Sequence, residues 1–150
     1  MGHDAMKEQL SAYFGDRLAA FAQAYGELTV TVRPEHLLEV AQQLRDQDAF
    51  AFTFLSDLTG VDCAAGALEV VYHLLSIKHR SRLRLKVRID RAAALPSVAG
   101  IWPTANWHER EAYDLLGITF SGHPDLKRIL TPDGFSGHPL LKEYPLRGEK

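Results

Sequence analysis

The stretch "HEREAYD" (residues 108–114) spaces His108, Glu111 and Asp114 three apart, so on a helix each neighbouring pair shares a face. With His123 and Asp125 from the loop-like segment that follows, these side chains supply the nitrogen and oxygen donors of a mixed metal site. A stand-alone metal-dependent enzyme would rest on that cluster. The spacing matches no known hydrolase arrangement, because Ala112 stands where the second histidine of His-Glu-x-x-His belongs. The simpler reading has Glu109 and Glu111 favouring the positive helix N-terminus, with Arg110 pairing outward. It needs only a charged helix face, and it is the reading adopted.

Other chemistry finds less support. Cys63 has no basic motif nearby, and no Gly-x-Ser-x-Gly elbow exists. "GVDCAAG" resembles neither a phosphate-binding loop nor a dinucleotide-binding turn. Arg82, Arg84, Lys86 and Arg88 alternate along "SRLRLKVRID" (81–90) with Leu83, Leu85, Val87 and Ile89. Four like charges on one strand face repel each other unless something acidic lies opposite. That face is either solvated or a docking surface. Trp102 and Trp107 are core residues or interface anchors.

The elements that must carry these groups follow from periodicity. Leu10, Tyr13, Phe14, Leu18, Phe21 and Tyr25 fall at three- and four-residue steps, which predicts a helix over 4–25 ended by Gly26. "LTVTVR" (28–33) reads as a strand, and Pro34 opens a second helix with Leu37, Leu38, Val40, Ala41 and Leu44 on its buried stripe. Phe50, Phe52 and Phe54 alternate into a strand over 50–62 that turns at Gly60. Residues 67–78 and 81–90 form a hairpin joined at "KHRS" (78–81). Residues 95–103 form a short helical turn or loop. A further helix is capped by Asn106, with Glu109 three residues on, and ends at Gly117. Beyond it Pro124, Pro132, Gly134, Gly137, Pro139 and Pro145 forbid a long helix or central strand. The predicted fold is a two-layer α+β domain, helix–strand–helix–strand–strand–strand, with helices on one face of a mixed or antiparallel sheet. Residues 1–90 form its core, and 91–150 form a short helix plus an extended, irregular C-terminal tail.

Composition bounds the setting. At 150 residues the chain is one domain by length, 46% hydrophobic and 24% charged, as folded soluble proteins are. No apolar run is long enough to cross a bilayer, and "MGHDAMKEQLSAYF" lacks the pattern of a secretory signal. One cysteine allows no internal disulfide and points to a reducing, cytoplasmic compartment. Residues 1–62 carry ten acids and four bases, whereas 63–105 carry two acids and seven bases. That polarity favours oriented docking on a partner. It does not suggest nucleic acid, since the basic block lacks interleaved aromatics.

"EREAYDLLGITFSGHPDLKRIL" (109–130) closely resembles the signature of the C-type subunit of the proton-translocating NADH–quinone oxidoreductase, respiratory complex I. The pattern falls on Glu109, Arg110, Glu111, Asp114, Gly117, Phe120, His123, Pro124, Asp125, Arg128, Ile129 and Leu130. Lys127 departs from it, standing in place of the first of two arginines. "TPDGFSGHPLLKEYPLRG" and the upstream "FTFLSDLTGVD" also look like the family's, so the resemblance spans nearly the whole chain.

The resemblance implies a non-catalytic member of the hydrophilic arm, binding no cofactor in a complex that uses FMN, iron–sulfur clusters and quinone. It implies docking on the large quinone-site (D-type) subunit, near the subunit that holds the terminal iron–sulfur cluster. The location implied is the cytoplasmic side of the inner membrane, as a peripheral protein that meets the membrane only through the complex. The motif residues Glu109, Glu111, Asp114, His123 and Asp125 then serve as anchors that hold the tail's path to a partner, not as catalysts. The resemblance leaves one alternative open: the equivalent subunit of a related membrane-bound hydrogenase or ferredoxin- or F420-linked complex, which shares the signature. Members of the family often continue past Tyr-Pro-Leu with a tail that wraps the partner; this sequence ends at Lys150.

Overall fold

The computed structural model describes residues 3–24, 26–124, 126 and 138. Among these, Leu18, Phe21, Val30 and Leu85 show how the sheet is assembled. Strand β1 (Leu18–Ala24) pairs antiparallel with β2 (Glu27–Val32), and β2 lies parallel to β5 (Ser81–Asp90). β5 pairs antiparallel with β4 (Ala67–Ser76), and β4 with β3 (Phe54–Asp62). The order is β1-β2-β5-β4-β3, a mixed sheet.

Helices α1 (His3–Phe14), α2 (Leu37–Asp46) and α3 (Ala105–Leu116) cover one face of it. Helix α1 contributes Met6, Leu10 and Phe14 to the core, and α2 contributes Leu37, Val40, Ala41 and Leu44. On the sheet side, Leu68, Val70, Tyr72 and Leu74 of β4 meet Ile89, Val87, Leu85 and Leu83 of β5 in register. Each such large apolar side chain contributes about 1.5–3 kcal/mol on full burial. The class predicted from periodicity, α+β with helices on one face, is the one found.

Three local expectations give way. Residues 18–24 form a strand, not the second half of a helix. Helix α1 stops at Phe14, before Gly15 in a left-handed conformation (φ 59°), and a bulge between Leu18 and Ala20 then interrupts β1. The bulge puts Leu18 opposite Val32 and Phe21 opposite Val30, on one face at a spacing of three. A bulged strand therefore mimics helical periodicity. Tyr25 lies outside the described residues.

Gly60 does not turn the chain. It sits inside β3, paired with Val70, and a Cβ there would lie 2.9 Å from Ile118 Cδ1 and collide with Leu116. The glycine lets α3 approach the sheet closely. The strand itself begins only at Phe54, whose ring is exposed, while Phe50 and Phe52 are buried ahead of it.

Asn106 is the second residue of α3 rather than its cap. Thr104 takes the capping position without a side-chain cap bond, its hydroxyl donating to the Leu55 carbonyl at 3.2 Å. Gly117 does end the helix in the left-handed region (φ 78°). Two short strands, β6 (Ala94–Pro96) and β7 (Thr119–Ser121), pair in parallel across α3; the sequence pattern carried no sign of them.

Candidate functional site

Helix α3 presents Ala105, Glu109, Ala112 and Leu116 inward, at steps of four, three and four. Glu109 thus occupies a core position of an otherwise apolar stripe, and it is fully buried. A buried carboxylate is costly unless hydrogen-bonded. Here Ser97 Oγ–H donates to Oε1 at 2.6 Å and the Val98 backbone N–H donates to Oε2 at 2.8 Å. Ser97 is itself oriented, since the Ala99 N–H donates to its Oγ at 3.1 Å.

His123 closes the other side. Its side chain is 1% exposed, with Nε2 3.8 Å from Glu109 Oε1 and 3.0 Å from the Asn106 carbonyl. A carbonyl only accepts, so Nε2 carries the proton. Three segments thereby meet here: the turn after β6, which donates to the Glu109 carboxylate, helix α3, and the Gly-His-Pro loop after β7, whose His123 donates to the Asn106 carbonyl. The Ser97 N–H donating to the Ser121 carbonyl at 2.9 Å adds a backbone tie between the first and third.

Burial is the main influence on the Glu109 carboxyl and raises its pKa above the ordinary 4.5. The hydrogen bonds from Ser97 and Val98 and the nearby His123 act in the opposite sense. Tyr72, reaching up from β4, is held well above the usual phenol value, first by burial and then by the charge of Glu109. Its hydroxyl is buried with no hydrogen-bond partner among the described residues.

The remaining motif residues scatter around this tie. Asp114 is fully buried, and its backbone carbonyl accepts from His138 Nδ1 at 2.9 Å. The His138 ring also lies against Gly117 and Tyr113. Glu111 is half-buried beside a cleft formed with Leu58, Gly60 and Leu115. Arg110 stacks its guanidinium 5.2 Å from the ring centre of Trp107, which is 55% exposed. Phe120 is in the core, and Pro124 is exposed. Asp125, Arg128, Ile129 and Leu130 lie outside the described residues.

The histidine–carboxylate cluster imagined for a metal does not gather as the helical spacing suggested. His108 points toward Asp57 of β3, with Nδ1 3.5 Å from Oδ1, and His123 faces Glu109 rather than Glu111. Among the described residues no three such side chains are placed to hold a metal ion. Glu109 also does not serve the helix N-terminus as a surface charge, because its oxygens are taken up by residues 97 and 98. The basic strand face is partly answered within the chain: Arg84 Nη2 lies 2.7 Å from Glu27 Oε1, and Lys86 Nζ lies 3.9 Å from Glu69 Oε1. Arg82 and Arg88 are exposed.

Sequence reasoning missed Ser97 and Val98 as hydrogen-bond donors to Glu109, and Tyr72 as the buried phenol that feels its charge. The one available sign was a glutamate at a stripe position between Ala105 and Ala112. Trp102 is resolved as a core residue, with its indole N–H donating to the Phe52 carbonyl at 3.0 Å. No helix among the described residues is long and apolar enough to cross a membrane.

The family described as "Respiratory-chain NADH dehydrogenase, 30 Kd subunit" matches residues 30–150. The C-type subunit of NADH-quinone oxidoreductase from Azorhizobium caulinodans is 54% identical over 127 residues, covering 83% of this chain and 60% of that protein. Its counterpart from Mesorhizobium japonicum is 48% identical over 150 residues, covering 96% of this chain and 75% of that protein. The chain thus spans between about three fifths and three quarters of the length of these two relatives. A solved archaeal respiratory membrane complex, the membrane-bound sulfane sulfur reductase, contains a chain of the same fold. Its TM-score is 0.73 at 21% identity, covering 85% of this chain and 75% of that one. The chain belongs to the family of the respiratory-chain NADH dehydrogenase 30-kDa subunit, whose bacterial members named above are the C-type subunits of NADH–quinone oxidoreductase.

Proposed function

We propose that this chain is a structural subunit of the hydrophilic arm of an NADH–quinone oxidoreductase. It docks on the large quinone-site subunit, beside the subunit with the terminal iron–sulfur cluster, and supports electron transfer by positioning those neighbours. It holds no cofactor of its own and sits as a peripheral protein on the cytoplasmic side of the membrane. The observation that carries the reading is the family signature and where it lies: Glu109 to His123 form the tie that fixes α3 against the loop leading into the tail. Such a tie fixes the Gly-His-Pro loop against the helix. The carboxylate and the imidazole are closed to solvent, which suits positioning better than turnover.

Affinity purification of the tagged chain from native membranes tests this. The expected result is a complex containing the quinone-site subunit in equal amount and reducing quinone with NADH. Recovery of the chain alone, or of a yellow or brown isolated chain whose colour follows the protein, would overturn it.

A further inference from the structure

The sheet face opposite the helices reads as four rows across β3, β4 and β5. The register sets Phe54 with Leu75 and Arg82, Asp57 with His73 and Arg84, Thr59 with Val71 and Lys86, and Val61 with Glu69 and Arg88. The two middle rows settle their positive charge within the chain. Arg84 meets Glu27 at 2.7 Å and Thr29 Oγ1 at 3.5 Å, and Lys86 lies 3.9 Å from Glu69.

The outer rows do not. Phe54 and Val61 are 43% and 45% exposed at the sheet edge, and Arg82 and Arg88 form no ion pair with a described residue. Each end of the face therefore offers an exposed apolar residue on β3 and an available guanidinium on β5, two strands or about 10 Å away. The two ends are separated by six residues of β5, about 20 Å. Aromatic residues and arginine are the side chains most enriched at protein interfaces.

We propose that this open face is a docking surface for an acidic protein surface, clamped at both ends by these pairs. The partner presents apolar contact to Phe54 and Val61, and carboxylates to Arg82 and Arg88, which a guanidinium binds bidentately. Charge complementarity selects a protein over a phosphate polymer or an anionic membrane. Glu27 pairs with Arg84, Asp57 lies in the row of Arg84, and Glu69 stands directly opposite Arg88, so an unbroken row of phosphates would meet three carboxylates. The proposal rests on the reading given under Proposed function: the partner is another subunit of the same complex. Arg82 and Arg88 do the docking, and Arg84 and Lys86 mainly hold the face together.

Two measurements on the purified complex and the free chain test it. Hydroxyl-radical labelling of Phe54, and alkylation of Val61→Cys in a Cys63→Ser background, should both slow at least about tenfold on assembly, as buried interface centres do. Arg82→Glu/Arg88→Glu changes only exposed side chains, so the chain should stay folded by circular dichroism. Recovery of complex at physiological salt should fall at least about tenfold. Equal labelling in complex and free chain would overturn the proposal while leaving the functional reading intact, because assembly itself is seen. Unchanged recovery of the double variant would overturn the acidic partner. Protection by anionic phospholipid vesicles without other subunits would assign the face to a membrane instead. Failure of the wild-type chain to assemble would overturn both readings.

Discussion

The Glu109 carboxylate accepts the backbone N–H of Val98 at 2.8 Å, so a buried side chain of α3 satisfies a turn that lies eleven residues earlier in the chain. Replacing it by alanine leaves that amide and the Ser97 hydroxyl without their acceptor. Each buried unsatisfied group costs about 1–3 kcal/mol, so Glu109→Ala should lose roughly 3 kcal/mol or more. Glutamine keeps one oxygen for Val98 and offers its NH₂ to Ser97 Oγ, so Glu109→Gln should lose about 1 kcal/mol. Urea unfolding of the three proteins decides the matter. Equal losses for Ala and Gln would mean that charge, not hydrogen bonding, holds the turn.

The same carboxyl gives a pH dependence of unusual sign. Its folded pKa is raised, with burial as the first cause, so the folded state binds the proton more tightly than the unfolded chain does. Its contribution to stability is then fully present below the unfolded value near 4.5 and is lost as pH rises through the raised folded value. Wild type should therefore lose stability relative to Glu109→Gln as pH rises above 4.5, by at most about 1.4 kcal/mol per pH unit. A carboxylate stabilised by ion pairing would do the reverse. Denaturation of both proteins between about pH 4 and 7 checks the sign.

How much of this was legible in the sequence depends on whether the pattern was local. The β4–β5 hairpin was readable because Leu83, Leu85, Val87 and Ile89 alternate without interruption, and all four are buried. Of the two bulged strands, β1 was misread as helix, and β3 was legible as a strand over 50–62 but not in its register. In β3 the bulge between Leu55 and Asp57 sets Leu55 and Leu58 on one face at a spacing of three, as it does Leu18 and Phe21 in β1. Counting residues cannot reveal a register shift that exists only against a partner strand. At the site, the motif residues and the C-terminal glycine of α3 were legible, since type and spacing are local. That Glu109 turns inward to residues 97 and 98 depends on the β6–β7 pairing, which joins segments distant in the chain, Ala94 to Thr119. The pairing of basic residues with Glu27 and Glu69 is equally non-local.

Two tryptophans five residues apart should behave oppositely. Trp102 is buried and its indole N–H donates to the Phe52 carbonyl at 3.0 Å. Trp102→Phe removes that donor and leaves a void, which should cost about 2–3 kcal/mol. Trp107 is 55% exposed, with the Arg110 guanidinium over its ring, so Trp107→Ala should cost no more than about 1 kcal/mol in the isolated chain. Thermal unfolding of the two variants separates the roles. A larger loss at Trp107 would mean that the exposed ring carries packing this arrangement does not give it.

The closeness of α3 to the sheet has its own test at Gly60. Any β-carbon there would overlap Leu116 and lie 2.9 Å from Ile118 Cδ1, and both of those side chains belong to the core. Gly60→Ala should thus be destabilising by about 1–3 kcal/mol through overpacking, although alanine is no worse than glycine in a strand. Truncating the neighbour makes room: Leu116→Ala alone opens a void and should cost about 2–5 kcal/mol. If the collision is the cause, the double variant Gly60→Ala/Leu116→Ala is more stable than the sum of the two single losses predicts, by about 1 kcal/mol or more. Additive losses would show that Gly60 is needed for its backbone and not for the approach of α3. Equilibrium unfolding of the four proteins completes the cycle.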